Sequence, residues 1–221
     1  MKVCTDSCLF GGYIADKIEK KIITPKRILD IGSGTGLLSL MIAQKSEAMI
    51  DAVEIDKNAF IQTKDNFSQS RWSQRLHAFH HDIKEWNSSL KYDFIISNPP
   101  FFENDLKSEN ANKNVAKHDD TLTLKQLLLS VKNNLHIKGN FAVLLPFHRM
   151  EFFKVLCAEN NFHVKEELLI KQTPKHSYFR GILFFGTTRR QVISKELIIK
   201  NTEGMYTEDF NFLLNDYYLN E

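Results

Sequence analysis

Ile28-Leu29-Asp30-Ile31-Gly32-Ser33-Gly34-Thr35-Gly36-Leu37-Leu38 is an apolar run, a glycine-rich turn and the opening of a second apolar run. It reads as a strand that turns tightly into a helix. Glycine at such a turn allows positive φ and lets the backbone pass close to a ligand, while the helix N-terminus favours a negative group there. Two common glycine motifs are excluded. A dinucleotide fingerprint needs G-x-G-x-x-G, and Leu37 stands where its third glycine belongs; a P-loop needs a Gly-Lys-Ser/Thr end, which is missing.

Outward from this turn, short apolar runs alternate with segments of helical period from residue 25 to about 160. Ile28–Ile31, Ile50–Ile55, Leu76–Phe79, Phe94–Ser97 and Phe141–Leu145 read as strands; Gly36–Lys45, Asn58–Ser68, Leu122–Leu135 and Arg149–Asn160 read as helices. The alternation predicts βαβ units and a parallel sheet covered on both faces. Phe162–Gln172 and Ser177–Thr187, joined by Thr173-Pro174-Lys175-His176, predict a hairpin. A strand at Glu196–Ile199 and a helix over Glu208–Tyr218, with Thr207 as N-cap, complete the chain. Ser7–Glu19 reads as a helix whose pattern Gly11-Gly12 weakens. We expect a single domain over 1–221: an N-terminal helical segment (1–24), a core (25–190) and a C-terminal strand and helix (191–221). The polar, aperiodic stretch from Phe102 to Thr121 is longer than ordinary loops and reads as a lid.

Composition permits this and excludes other classes. Hydrophobic content of 43% and charged content of 25% suit a globular protein, and a net charge of +2 announces no overwhelming basic field. Cys4, Cys8 and Cys157 form no C-x-x-C pair, and an odd count argues for a reducing compartment. The start shows no signal-peptide pattern and no run approaches membrane-spanning length, so the expected location is the cytoplasm; no membrane and no obligate protein partner is expected. His77, His80 and His81 lack Cys or acid at ligand spacing, and neighbours on a strand face opposite ways, so no metal is expected. Phe152-Phe153 and Phe184-Phe185 read as core.

The G-x-G-x-G spacing is the form typical of S-adenosylmethionine-dependent methyltransferases, and further residues fall in the matching order. Glu54, in Val53-Glu54-Ile55-Asp56, lies about 20 residues beyond the glycines, where a carboxylate can accept both hydroxyls of a ribose. Asp56 reads as a helix cap. Asp82, in His81-Asp82-Ile83, is suitably placed to take an exocyclic adenine amine of the cofactor, with an N-cap as its alternative. After the next strand comes Asn98-Pro99-Pro100-Phe101. Each proline locks its own φ and restricts its predecessor, Asn98 offers an acceptor and a donor, and Phe101 offers a stacking face.

Glycine turn, acid after strand two, acid after strand three and Asn-Pro-Pro-Phe after strand four resemble the class I, Rossmann-like methyltransferases of exocyclic or amide nitrogens. The resemblance implies an α/β fold: a mostly parallel seven-stranded sheet with one antiparallel edge strand, the C-terminal hairpin, and here a strand–helix extension. It implies S-adenosylmethionine as cofactor, bound by Asp30, Gly32, Gly34 and Gly36, by Glu54 and Ile55, by Asp82 and Ile83, and by Thr5 and Asp6. It implies Asn98, Pro99, Pro100 and Phe101 as catalytic residues. An aromatic amine is a poor nucleophile because its lone pair delocalises into the ring. The Asn98 side-chain oxygen and the Pro99 carbonyl would accept its two hydrogens, and Phe101 would stack on the base.

A closer resemblance covers nearly the whole chain. Lys2-Val3-Cys4-Thr5-Asp6, Leu9-Phe10-Gly11, Ile50-Asp51-Ala52-Val53-Glu54, Trp72-Ser73-Gln74-Arg75-Leu76 and the tail Tyr206–Tyr218 are similar to the bacterial tRNA1(Val) adenine N6-methyltransferases. Cys4 stands where that family has Gly, and Phe101 where Tyr is commoner. The family implies a tRNA partner, a valine tRNA, modified at the adenosine 3′ of the anticodon. Candidate RNA contacts are Lys107 and Lys117 in the lid, Arg149 after strand five, and Lys175, Tyr178 and Arg180 around the hairpin, with Lys and Arg on phosphates and the aromatic on a base. Two alternatives stay open: another planar nitrogen (guanine N2 in rRNA or a release-factor glutamine amide), and a non-catalytic RNA-binding or folding factor.

Overall fold

All the strand–turn–helix steps expected between residues 25 and 160 form in the computed structural model, which describes residues 4–99 and 122–218. In chain order the elements are α1 (Thr5–Glu19), β1 (Arg27–Ile31), α2 (Leu37–Ala43), β2 (Met49–Glu54), α3 (Lys57–Gln69), β3 (Leu76–His80) and β4 (Tyr92–Ser97). After them come α4 (Leu124–Asn134), β5 (Leu135–Pro146), α5 (Phe147–Glu159), β6 (His163–Lys171), β7 (Tyr178–Gly186), β8 (Ile193–Ile198) and α6 (Glu208–Leu214). The lid expectation for 102–121 lies outside the described residues, as do Pro100, Phe101, Lys107 and Lys117.

The strands make one eight-stranded sheet in the order β3-β2-β1-β4-β5-β7-β6-β8. Seven belong to the expected core and β8 is the C-terminal extension strand. Among the described strands only β7 runs antiparallel: it pairs antiparallel with both β5 and β6, while β6 pairs parallel with β8. It therefore lies inside the sheet rather than at the edge, because the hairpin returns β6 outside it and β8 adds a further strand there.

Alternate residues feed two cores, as a sheet covered on both faces requires. On one side Ile28, Phe94, Ile96, Leu144 and Phe184 pack with α1, α2 and α6. On the other Leu29, Ile31, Ile95, Val143 and Phe185 pack with α4 and α5. Local chemistry sets the helix starts. The Asp56 carboxylate accepts the Ala59 amide at 2.8 Å, and Thr123 and Gln126 form a reciprocal capping box. Thr207 caps α6 with Glu208 and Asp209 in the first turn, as read from the sequence, although the helix stops at Leu214.

Gly11 and Gly12, which blur the helical pattern of α1, have a tertiary explanation. A Cβ at Gly11 would meet Met41 Sδ at 2.5 Å, and one at Gly12 the Leu213 carbonyl at 2.5 Å. Their bare backbone lets α1 close onto α2 and α6.

The same helix is tied to the sheet by buried charge. Glu166 on β6 accepts from the Tyr13 hydroxyl and the Lys17 ammonium, and Lys195 Nζ approaches it at 2.9 Å. Lys17 is only 3% exposed. Burial pulls its pKa down against the pull of Glu166, whereas burial would raise Glu166 and its three donors hold it below the ordinary glutamate value. Removing one partner of a buried pair leaves an uncompensated charge, at a cost of about 3–5 kcal/mol. Glu166→Gln is therefore expected to lower the urea midpoint sharply near pH 7. The loss should shrink on acidification, because a depressed glutamate stabilises above its unfolded pKa and ceases to as pH falls through the folded one. An unchanged midpoint at neutral pH would refute this account.

Candidate active site

The carboxyl ends of β1, β2 and β4 converge where the strand order reverses on either side of β1, the switch point at which open α/β sheets bind ligands. The glycine turn forms the floor. Gly32, Gly34 and Gly36 have φ of 71°, 59° and 78°, the left-handed region that residues with a Cβ avoid. At Gly36 a Cβ would also meet Phe67 Cε1 at 2.6 Å, so α3 packs on the bare turn; at Gly32 it would meet nothing within 4 Å, and among the described residues that side stays open.

Neighbouring side chains fasten the turn from outside. Gly34 N–H donates to Glu54 Oε2 at 2.8 Å, and the Asp56 amide donates to Oε1 at 2.9 Å. Thr63 Oγ1 donates to the Gly34 carbonyl at 2.6 Å and Asn66 Nδ2 to the Thr35 carbonyl at 2.9 Å. A carboxylate has about four acceptor positions, so Glu54 keeps capacity after both bonds. Beside it Ile55 is 46% exposed, an apolar shelf at the mouth of the turn.

Asp30 is fully buried beneath the turn. Oδ2 accepts from Ser39 Oγ of α2 at 2.7 Å, while among the described residues Oδ1 has no hydrogen-bond partner, nor has the buried Ser33 hydroxyl. Burial pushes the Asp30 carboxyl up, the Glu54 charge adds to this and the Ser39 bond opposes it, leaving a pKa of about 7. Unpaired buried polar groups are costly, and here they lie beside a turn open on one side.

At the end of β4, Asn98 is partly buried and Pro99 buried. Asn98 Nδ2 donates to Ser7 Oγ at 2.8 Å. This holds the amide in one orientation, with its carbonyl oxygen as the acceptor end. Ser7 lies in the first turn of α1, which Thr5 opens. Asp6 next to it accepts the Ser7 amide at 3.0 Å on one oxygen and Arg180 Nε of β7 at 2.9 Å on the other. Burial would raise the Asp6 pKa, but the Cys4 thiol and Arg180 outweigh it and hold the carboxyl below the usual aspartate value. The N-terminus of α1 is thus clamped between β4 and β7.

The structure brings together Asp30, Gly32, Gly34, Gly36, Glu54 and Ile55 around one opening, with Asn98 and Pro99 at the adjacent strand end. Ile83 is buried in the core, and Asp82 caps its own turn: Oδ1 accepts the Lys84 amide at 2.9 Å and Oδ2 lies 3.2 Å from Lys84 Nζ. Asp6 and Arg180 are engaged with each other, and the Tyr178 hydroxyl donates to Glu196 at 2.5 Å. Lys175 is exposed on the hairpin turn. The three histidines go three ways, His77 to Asp51, His80 to the Ile55 carbonyl and His81 to the Asp82 carbonyl. Sequence reasoning missed Ser7 and Ser39 as partners of site residues. Nothing local marks a serine whose partner is 91 positions away.

A family model described as the methyltransferase small domain matches residues 13–165. A tRNA1(Val) (adenine(37)-N6)-methyltransferase of Dyadobacter fermentans is 38% identical over 225 residues, covering 99% of this chain and 91% of the relative. The protein of the same name from Proteus mirabilis is 36% identical over 228 residues, covering 99% and 88%. Among solved structures, one described as a predicted O-methyltransferase from Agrobacterium tumefaciens superposes with a TM-score of 0.72 at 16% identity, over 95% of each chain. The ribosomal protein L11 methylase of Lactobacillus delbrueckii gives 0.56 at 14%, over 81% and 77%. At such identities these structures speak for the fold alone. It is the class I methyltransferase fold.

Proposed function

Since the chain belongs to the family of the tRNA1(Val) (adenine(37)-N6)-methyltransferases, we propose that it methylates N6 of the adenosine 3′ of the anticodon in a valine tRNA, at the opening between β1 and β4. It is a tRNA methyltransferase that uses S-adenosylmethionine. No helix among the described residues is long and apolar enough to cross a membrane, and a tRNA substrate fits the cytoplasm. The observation that carries the proposed site is the Asn98 amide, turned by Ser7 and standing at the strand end beside the glycine turn.

S-adenosylmethionine, when bound, supplies an electrophilic methyl group on sulfur. The residues around the turn fit it. The unpaired Asp30 Oδ1 and Ser33 Oγ match an ammonium and its neighbours, the remaining capacity of Glu54 matches a ribose diol, and Ile55 offers a surface for a purine. Asp82, while capping its turn, retains lone pairs for an exocyclic amine.

The chain's own work on the target is alignment. Asn98 Oδ1 and the Pro99 carbonyl accept the two amine hydrogens and draw the nitrogen out of conjugation, so its lone pair leaves the ring plane. Fixed geometry of this kind replaces an entropic cost that free reactants would meet. The proton is shed only once the nitrogen carries an additional bond and has become acidic, so no strong general base is required. The base must reach the site unstacked, which costs least in a single-stranded loop.

Nucleoside mass spectrometry of valine tRNA from cells with and without the protein tests this. N6-methyladenosine is expected only with it. Methyl label appearing in protein alone, or on guanine, would overturn the assignment.

A further inference from the structure

Among the exposed large apolar side chains of the described residues, Phe147 has a setting that points to a ligand. It is 41% exposed and belongs to neither core. It follows Pro146, whose ring fixes the backbone at φ −55° where β5 passes into α5. Its ring centroid lies 5.2 Å from that of Tyr178 at the start of β7, tilted by 39°. Tyr178 is itself braced: Lys171 Nζ stands 4.5 Å from its ring centroid, its hydroxyl bonds Glu196, and Lys171 and Glu196 pair at 2.8 Å. A surface phenylalanine would ordinarily keep its rotamer freedom. Here Tyr178, itself held by Lys171 and Glu196, backs the ring, which stays 41% exposed.

Its place in the sheet is as telling. Ser97 pairs with Val143, and β5 runs on past the end of β4. Phe147 stands four residues further, about 13 Å beyond the Ser97 level, at the same pole as Asn98. The cationic side chain nearest in the chain is of the kind that neutralises phosphates: Arg149, two residues on, whose guanidinium lies 5.6 Å from the Phe152 ring. By contrast Phe212, 64% exposed, lies on α6 under Lys20, on the helix-covered face of the sheet.

We propose that Phe147, backed by Tyr178, is the stacking platform for an unstacked base adjoining the adenosine that is methylated. The inference rests on the proposed RNA substrate. It reassigns the hairpin aromatic as well: Tyr178 supports the platform and Phe147 receives the base. Aromatic faces bind bases with little sequence preference, and truncation of one typically weakens binding by about tenfold or more.

The test uses the full chain and unmodified valine tRNA transcript. Phe147→Leu keeps the apolar volume without a ring, and Phe147→Tyr keeps the ring. The leucine variant should raise the KM for tRNA about tenfold while cofactor affinity and Tm stay at wild-type values, and the tyrosine variant should restore the KM. A 2-aminopurine next to the target adenosine should be quenched on binding to the wild type and the tyrosine variant, and much less on binding to the leucine variant. Equal KM values for wild type and Phe147→Leu would overturn the platform and leave the proposed reaction standing. A loss shared by both variants with lowered Tm would overturn it as well, since it would mark a packing role. A wild-type protein that methylates no adenosine in tRNA would take down both readings.

Discussion

Asn98→Ala should remove methyl transfer while leaving cofactor binding within about twofold of wild type. The amide acts only on the target nitrogen and makes its contact as the amine leaves conjugation, so the loss falls on the chemical step. Deleting one pre-placed polar group aimed at a transition state typically costs a factor of about 100–1,000 in kcat, and single-turnover rates at saturating tRNA are the measurement. Ser7→Ala gives the companion result. It leaves Asn98 in place and removes the bond that turns its amide, so kcat should fall by about tenfold, less than for Asn98→Ala, with KM for tRNA little changed. Turnover that survives Asn98→Ala would show that the amide has been given the wrong role.

Asp30→Asn should produce two opposite effects in one variant. In the free protein the carboxyl titrates near 7, chiefly because burial disfavours its charge. In the unfolded chain it titrates near the ordinary aspartate value of 3.8. Between those values the folded state holds a proton that the unfolded state has shed, so Asp30 makes folding less favourable as pH rises from about 4 to about 7. Above that window the penalty is on the order of 4 kcal/mol. The asparagine has no such window, so at pH 8 it should unfold at higher urea than wild type, and the gap should close towards pH 4. Cofactor binding should move the other way. An ammonium favours the ionised carboxylate, so wild-type affinity should rise with pH through about 7, and Asp30→Asn should be weaker and lack that rise. Calorimetric titrations at pH 6 and 8, with urea curves at the same values, measure both. A variant that is no more stable than wild type at pH 8 would refute the burial argument, and an unaltered affinity profile would refute the ammonium contact.

Such a group is what marginal stability allows at a binding site. Asp30 is carried beneath the turn with one oxygen unpaired, at a cost to the free fold, and the orphaned Ser33 hydroxyl adds to the same cost. Glu54 shows the opposite arrangement. Its carboxylate accepts two backbone amides and fastens the turn before any ligand arrives, with acceptor capacity left over. One acid shapes the site and the other waits in it.

Much of this could be read from the residues in order. The glycine turn, the strand and helix sequence up to residue 160, the cap at Thr207 and the acid after β2 are local features. Boundaries moved where neighbours in space decided them: β5 starts directly after α4, at Leu135 rather than Phe141, because Leu135 pairs with Tyr92. Gly11-Gly12 argued locally against α1 and proved to be the close-approach surface that lets it pack.

By itself, then, the sequence determined which backbone could form where. Positive φ at Gly32, Gly34 and Gly36, the prolines after Asn98 and the alternation of apolar runs follow from sterics and hydrophobic period between near neighbours. The tertiary structure alone decided which groups are spent on one another and which remain for a substrate. Asp6 and Arg180, 174 positions apart, turned out to clamp α1, and Ser7 turned out to orient Asn98. Phe147 turned out to be left in the open, and so did Phe152, 48% exposed on α5 against its reading as core, while Phe153, Phe184 and Phe185 closed. Those outcomes depend on contacts between elements that lie far apart in the chain, and no spacing rule within one element carries that information.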